Sequence, residues 1–484
     1  MIPINPENSN KKNIKTENGE QIQIEQHKKF ISEIFEKNST SPIKFNSIIV
    51  DGGQHVRSEV LQKYIYSIFS NATTFKQLCE SSDLLAKKLI EHGLVENISQ
   101  TFDSRGTYTY PMIKHYFPSK VYDSKHIPKD LSVIDIISHI KVLPLKRFMA
   151  KTGTNIGNGE GDGYLQFQLR NIFGGGEQLK FDVTKGTKTH SSYLLNYVQP
   201  LTPWWIWDSI IYKNDRELGS TLEMGLCGIR SSLKGKTDKN EMLKQEIFIE
   251  GITRKTKLIE SNSSDSLLFQ AGHDSKLSIG HTIAWDTRDN LVTPSKGNLL
   301  KLSNELAYNS FSKTQLEASC SNSWFKDNFL TLSSTIRAGY ISNISGGSKQ
   351  LHISDKFQLG GGNDIRSFRL MGLGPKDIYD SIGGNAFCVY GVSVFSRLPF
   401  KKLESSNFRL HFFFNGGKLI NHNSSSVKNL FDSLTKENSL STGFGLIFIH
   451  PVARFELNFS LPVTAHSSDS IRKGFQYGVG MSFL

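Results

Sequence analysis

The chain has 484 residues, enough for two or three domains or for one large barrel with an appended domain. Its 57 basic residues exceed its 45 acidic residues, and the net charge of +12 suits nucleic acid, an anionic membrane surface or a lumen that polypeptide passes through. Four widely spaced cysteines argue against a disulfide scaffold or a zinc site, and the absence of any run of about twenty apolar residues argues against a membrane helix.

The first part of the chain divides into a polar tail and a small domain. Residues 1–43 are rich in Asn, Lys, Ser and Glu, and this composition predicts a disordered tail. Residues 44–145 predict an α+β domain in the order strand, helix, helix, strand, strand, from the apolar spacing of each segment. This order is typical of a POTRA module, which offers its sheet edges to extended peptides, although any small α/β domain could share it.

From residue 146 to the end, short segments alternate apolar and polar side chains. In ARFELNFSLPV (453–463) the phenylalanines and leucines occupy one face, and in GFQYGVGMSFL (474–484) the same rhythm recurs. Strands of about 9–11 residues with this alternation can cross a bilayer. We count sixteen, which predicts an all-β transmembrane barrel of about 16 antiparallel strands over residues 146–484. A soluble β-sandwich also alternates, but a soluble sheet of this size would normally bring helices, and the pattern indicates none after residue 145.

The longest predicted connection, residues 342–384, contains a loop dense in glycine. Gly360, Gly361 and Gly362 precede the residues Ile365, Arg366, Ser367 and Phe368. Glycine allows backbone conformations and close contacts that other residues forbid. An arginine between two apolar residues in such a loop indicates an anchor to a buried carboxylate or amide, whereas the alternative is an ordinary surface turn.

No motif in the chain indicates covalent chemistry. Nucleophile-elbow, Walker-loop and HExxH patterns are absent from the sequence, so we expect no enzyme activity, no cofactor and no metal. Asp286, Arg288 and Asp289 cluster before a turn. A carboxylate pair could serve acid–base catalysis or bind calcium, but a salt bridge at a strand end is the interpretation we favour.

Several segments together resemble one known family. They are KTGTNIGNGEG and LRNIFGGGEQL (151–179), AWDTRDNLVTPSKGNLLKLSNELA (284–307), FQLGGGNDIRSF (357–368), SIGGNAF (381–387), HFFFNGG (411–417) and FQYGVGMSFL (475–484). The resemblance is to the core barrels of the mitochondrial sorting and assembly machinery, in the superfamily of outer-membrane β-barrel insertases, and it covers residues 44–484. The chain departs from the family at Ser367, where the family usually has glycine. A serine fits there if its φ is negative.

The resemblance implies where functional residues lie. It places the loop inside the barrel, where Arg366 would meet inward polar side chains, and alternation makes Asn415, Glu456 and Ser460 the candidate partners. The last strand is similar to the terminal β-signal of mitochondrial outer-membrane barrels: a polar residue, a glycine and two hydrophobic residues. Those residues are Gln476, Gly478, Met481 and Phe483.

The resemblance also implies a function. The barrel would insert β-barrel precursors into the mitochondrial outer membrane through a seam between its first and last strands, with its N-terminal domain in the intermembrane space. Its partners would be β-barrel precursors, accessory subunits of the complex, intermembrane-space chaperones and the lipid bilayer, but not nucleic acid. The alternatives are a barrel that transports polypeptides or metabolites and a soluble basic β-protein that binds nucleic acid.

Overall fold

The computed structural model describes residues 38–480 except 71, 110–131, 158–159, 188, 219–221, 237–240, 259–263, 326–327, 346–350, 379, 400–405, 423–426 and 451–452, and also residues 29, 32, 33, 35 and 36. The chain forms two compact units. One comprises residues 1–149 and 169–178, and the other comprises residues 150–168 and 179–484.

The first unit is a three-stranded sheet with two helices. Its elements are β1 (Ile43–Asp51), α1 (Ser58–Phe69), α2 (Phe75–Glu91), β2 (Asn97–Thr109) and β3 (Ser132–Leu143). The sheet order is β1-β3-β2, with β1 parallel and β2 antiparallel to β3. The Thr74 side chain accepts a hydrogen bond from the backbone N–H of Gln77 and so caps α2, as Thr commonly does at this position. The order of elements is the predicted one.

The apolar stripes of α1 and α2 form the core of this unit. Tyr64, Leu78 and Leu85 are almost fully buried against the sheet. The described positions between 29 and 38 are helical, and the ring of Phe35 lies 6.1 Å from that of Phe75. The sequence of residues 21–37 also allows a short amphipathic helix within the mostly disordered tail, and the helical positions described here agree with that interpretation. Residues 1–28 lie outside the described residues.

The second unit is built on a 16-stranded antiparallel sheet whose two outermost strands are the first and the last. The strands are β4 (Phe148–Gly157), β5 (Glu160–Arg170), β6 (Gln178–Gly186), β7 (Thr189–Pro200), β8 (Trp205–Leu218), β9 (Leu222–Lys236), β10 (Leu243–Leu258), β11 (Gly272–Asp286), β12 (Gly297–Ala307), β13 (Phe311–Trp324), β14 (Leu330–Asn343), β17 (Ala386–Arg397), β18 (Phe408–Ile420), β19 (Ser439–Ile449), β20 (Arg454–Thr464) and β21 (Gly474–Gly480). Two short strands, β15 (Lys376–Asp377) and β16 (Asp380–Ser381), pair with each other between β14 and β17.

The two faces of the large sheet differ in the way the alternation predicts. In β20 the apolar side chains of Phe455 and Leu457 are exposed, whereas those of Glu456 and Asn458 are buried. An apolar outer face and a polar inner face are what a barrel in lipid requires. The predicted all-β barrel of sixteen strands is confirmed.

The expectation that no helix follows residue 145 is wrong. Helices α3 (Asp265–Leu268) and α4 (Val427–Thr435) lie in the connections β10–β11 and β18–β19. Both stand outside the sheet, where a search for period-two alternation detects nothing. Among the residues that the structure describes, no helix is both long enough and apolar enough to cross a bilayer.

Candidate functional site: the inner loop

The connection from β14 to β17, residues 344–385, is called the inner loop here. Its described part contacts the polar inner face of the large sheet. Arg366 is fully buried, and its Nε and Nη2 atoms lie 3.1 and 2.7 Å from Oε2 of Glu456 on β20. The Phe413 ring centre lies 4.7 Å from the guanidinium carbon. The structure therefore joins Arg366, which the family resemblance placed inside the barrel, to Glu456, which alternation placed on the inner face of the wall.

Glu456 lies between two arginines. Its second oxygen, Oε1, is 2.7 Å from Nη2 of Arg454, and Asn458 donates to Oε2 at 2.7 Å. All three side chains are almost fully buried. A buried carboxylate is retained at low cost only where charges and donors surround it in this way. The wall therefore presents to Arg366 a carboxylate that Arg454 and Asn458 already orient.

The other two candidate partners contact different groups. Asn415 donates from Nδ2 to the carbonyl oxygen of Asp364 at 3.0 Å, so it binds the backbone of the loop rather than Arg366. The Ser460 hydroxyl donates to Oε1 of Gln476 at 3.1 Å. In the part of the chain that the structure describes, the hydrogen bonds of these two side chains therefore go to groups other than the Arg366 guanidinium.

Asp364 is a loop residue that the sequence analysis missed. Its Oδ1 accepts from Nη2 of Arg337 on β14, and its Oδ2 accepts from the backbone N–H of Gly360 at 2.9 Å. The Asp364 carboxylate thus connects the glycine run of the loop to strand β14 of the wall. An acidic residue two positions before Arg366, together with an inward arginine on a predicted strand, was the available signal.

Ser367 adopts a backbone conformation that the sequence analysis did not expect. Its φ is +72°, in the left-handed region. Its backbone N–H donates to Oε1 of Gln476 at 2.8 Å, and its carbonyl accepts from the N–H of Arg472 at 2.8 Å. These two hydrogen bonds hold the Ser367 backbone from opposite sides, so the condition for an unstrained serine, a negative φ, is not met. The conformation explains why glycine suits this position.

Ser367→Gly should therefore stabilise the folded barrel by about 1 kcal/mol. A non-glycine residue in the left-handed region costs about 1–2 kcal/mol, and glycine removes this strain. Part of the gain in stability is lost because glycine raises the conformational entropy of the unfolded chain. The Ser367 hydroxyl is also buried with no hydrogen-bond partner among the described residues. The check is the urea midpoint of folded against unfolded barrel on unheated gels. Ser441→Gly is the matched control, because Ser441 is equally buried with an unpartnered hydroxyl, but lies within β19. It should be destabilising, and equal shifts for both variants would contradict the explanation.

The last strand supplies the polar end of the predicted β-signal. Gln476 is buried and binds both Ser367 and Ser460. Gly478 lies opposite Glu456 in the ladder. A Cβ at Gly362 would lie 2.8 Å from the carbonyl oxygen of Tyr477, so the loop backbone runs close along β21. Met481 and Phe483 lie outside the described residues.

The apolar neighbours of Arg366 fix the loop as well. Ile365 and Phe368 are fully buried in a cluster of loop and wall side chains that includes Phe357, Phe387 and Leu419. Apolar burial of this kind contributes about 1.5–3 kcal/mol for each large side chain. The inner loop is therefore a packed part of the barrel.

A second buried anchor holds the start of the inner loop on the opposite stretch of the sheet, and the sequence analysis missed it. Arg254 on β10 donates from Nη1 and Nη2 to the two oxygens of Asp355 at 2.6 and 2.9 Å. Lys276 on β11 lies 3.3 Å from the same carboxylate. Lys313 on β13 donates to the Asp355 carbonyl at 2.8 Å. The loop thus bridges β10–β13 and β18–β21.

The charged cluster before the β12 turn has the structural role that we favoured. Arg288 donates from Nε to Asp286 at 2.9 Å. Asp289 Oδ1 accepts the backbone N–H groups of Asn290, Ser295 and Lys296 at 2.9–3.1 Å. Asp289 therefore organises the turn with oxygens that are already occupied.

Comparison with known proteins places this architecture in one class. Residues 171–483 match the Omp85 superfamily domain. The fold is similar to that of BamA from Haemophilus ducreyi lacking POTRA domains 1–3, with a TM-score of 0.67 and 16% identity over 90% of this chain and 84% of that one. The chain belongs to the Omp85 superfamily of outer-membrane β-barrels.

Curated relatives narrow the class. The chain is 40% identical to the sorting assembly machinery 50 kDa subunit of Saccharomyces cerevisiae, over 93% of this chain and 96% of that protein. It is 28% identical to the human sorting and assembly machinery component 50 homolog, over 71% and 74% of the two chains. Within the superfamily, the chain is therefore a member of the sorting and assembly machinery 50 kDa subunit family.

Proposed function

We propose that this chain inserts and assembles β-barrel precursors in the mitochondrial outer membrane, at a seam between β4 and β21. The observation that carries the proposal is the position of the inner loop, which is bonded along β20 and β21 beside the end of the sheet. The family of assembly-machinery subunits supports the substrate class and the membrane. The N-terminal unit faces the intermembrane space, where chaperones deliver precursors, and accessory subunits complete the machinery.

The two outermost strands have properties that suit a seam. The described part of β21, Gly474–Gly480, forms an antiparallel ladder with β20. Because positions 474, 478 and 480 are glycine, β21 has few side chains that can pack against a neighbouring strand. A precursor strand that adds to the β4 edge satisfies backbone groups that lipid leaves unpaired, which supplies the driving force for insertion.

A passive transport pore is the less favoured function. The inner loop crosses the inside of the barrel from the Asp355 anchor to the Arg366 anchor and is packed at both. A permanent wide pore would not need such a bridge. Depletion of the chain separates the two functions: newly made barrel proteins should fail to reach their folded form if it is an insertase, but should fold normally if it only transports solutes.

Site-specific crosslinking tests the seam. In a background with the four native cysteines replaced by serine, a cysteine at Thr154 of β4 should form a disulfide with a cysteine in the last strand of an arrested precursor. Asn304→Cys on β12 is the control, because this position is also exposed but lies within the wall. Equal crosslinking at both positions, or crosslinking at Asn304 alone, would sink the seam mechanism even if depletion supports the insertase function.

A further inference from the structure

The outer face of strands β8–β11 carries a polar hollow next to its apolar, lipid-facing surface. The residues on this face occur in rows across the four strands. One row is Ile211, Ile229, Gly251 and Leu277, the next is Lys213, Cys227, Thr253 and Ser275, and the last is Asp215, Gly225, Lys255 and His273. Across these three rows the outward positions change from a mostly apolar set to one that includes Lys213, Asp215 and Lys255.

A glycine forms the floor of the hollow. Gly225 lies between Asp215 and Lys255 in neighbouring strands. A Cβ at this position would lie 2.7 Å from Oδ1 of Asp215, so any larger residue would fill the space. The hollow has a volume of about 420 Å³. This is enough for a phosphate-sized group and its flanking atoms, and it opens toward the side of the barrel that faces lipid.

Positive charge in the hollow is available to a ligand. Lys213 and Lys257 form only loose ion pairs, with Asp215 at 3.7 Å and Glu223 at 3.5 Å, and both lysine side chains are more than half exposed. Such exposed pairs contribute little, so these ammonium groups can turn to another anion at small cost. Lys255 has no carboxylate partner within 4.0 Å among the residues that the structure describes. His273 lies beside it on β11.

The hollow lies at the level along the barrel axis where lipid headgroups are expected. Because consecutive strands are antiparallel, the β8–β9 and β10–β11 connections lie at the same rim as the inner loop. The hollow is just inside this rim. On the side of the hollow away from the rim, the outer face is lined by Ile229, Ile249 and Leu277, which are all more than half exposed. Acyl chains would pack on those side chains while a headgroup reached the lysines.

We propose that this hollow binds the phosphate of an anionic glycerophospholipid, with Lys213, Lys255 and Lys257 around the phosphate and the acyl chains on the apolar row below. Lys255, which faces the glycine floor, makes the central contact. Asp215 and Glu223 compete with the phosphate for the other two lysines. The occupant is a membrane lipid rather than free phosphate, because the site is continuous with the lipid-facing surface.

Lipid binding to the purified, delipidated full chain in detergent tests the proposal. Native mass spectrometry would follow the retention of phosphatidylglycerol, phosphatidylcholine and inorganic phosphate. The unsubstituted chain should retain one phosphatidylglycerol in preference to phosphatidylcholine. Lys255→Gln should weaken that binding about fivefold, and the combined replacement of Lys213, Lys255 and Lys257 by Gln about a hundredfold, since each basic residue near a membrane surface contributes a factor of about five.

Two further variants separate a binding site from a folding effect. Lys185→Gln is the matched control, because Lys185 is an exposed lysine near the same rim that does not line the hollow, and it should leave binding unchanged. Asp215→Asn should strengthen binding, because it removes a competing carboxylate, and no loss of folding would produce that result. The proposal is overturned if the triple variant retains phosphatidylglycerol like the unsubstituted chain, if both lipids bind equally, or if phosphate displaces the lipid at equal concentration.

Discussion

Arg366→Ala is expected to destabilise the folded barrel by about 3–5 kcal/mol, the range for removing one partner of a buried ion pair. Both Arg366 and Glu456 are inaccessible to solvent, so loss of the guanidinium leaves a buried carboxylate with one charged partner fewer. Glu456 keeps Arg454 on its other oxygen, which places the expected loss at the lower end of that range. The urea midpoint of the folded barrel measures the effect, and the yield of assembled precursor measures its functional consequence.

The matched control is Arg230→Ala. Arg230 also pairs with a glutamate, Glu246 at 2.9 Å, and also lies over an aromatic ring, that of Phe248. However, its side chain is 29% exposed and contacts only the wall, so its loss should cost less than about 1 kcal/mol. If both arginine variants lose the same stability, the inner loop is not braced by Arg366.

A double variant isolates the pair from its surroundings. Glu456→Gln alone leaves Arg366 and Arg454 buried without their carboxylate, so it should also be strongly destabilising. Arg366→Ala combined with Glu456→Gln should lose clearly less than the sum of the two single variants, because residues in one ion-pair network couple by about 0.5–3 kcal/mol. Strict additivity would mean that the contact seen in the structure carries no interaction energy.

The sequence was sufficient for the wall because alternation is a local property. In a strand with one face toward lipid and one polar face, apolar and polar side chains alternate with a period of two residues. This alternation placed Glu456, Asn458 and Ser460 inside the barrel. Glu456 was one of three candidate partners for Arg366, and the placement of the loop inside the barrel came from the family resemblance. The fold class therefore follows from local rules, whereas the choice of Glu456 over Asn415 and Ser460 needed the structure.

The remaining contacts of the loop could not be predicted, because they depend on the path of the backbone. Gln476 binds the N–H of Ser367, whose direction is set by a φ of +72° that no side-chain pattern reveals. Asp355 meets Arg254 across about a hundred residues of sequence, and only the folded loop brings them together. Glycine runs show a similar limit. The run at 174–176 lies in the connection between β5 and β6, as a hairpin turn should, but the glycines do not reveal that the Gly174 carbonyl accepts the N–H of Arg57 within the first unit.

Asp355→Asn should release the start of the inner loop and destabilise the barrel by about 3 kcal/mol. The variant replaces a carboxylate that binds Arg254 through two hydrogen bonds and lies 3.3 Å from Lys276. Among the described residues, Asp274 at 3.7 Å would be the carboxylate left beside Arg254, so a buried guanidinium would lose its main counter-charge. Lys276 would keep Glu305 at 2.7 Å, which limits the loss to about the lower end of the range for buried pairs.

Hydrogen exchange distinguishes this anchor from the one at Arg366. In Asp355→Asn, backbone amides of residues 351–359 should exchange faster while those of 364–372 stay protected, and Arg366→Ala should give the reverse pattern. The reason is that the first segment is bonded to β10–β13 and the second to β18–β21, by separate sets of contacts. If either variant deprotects both segments equally, the loop opens as one cooperative unit. In that case the two anchors act as a single clamp that couples the middle of the barrel wall to the strands at the seam.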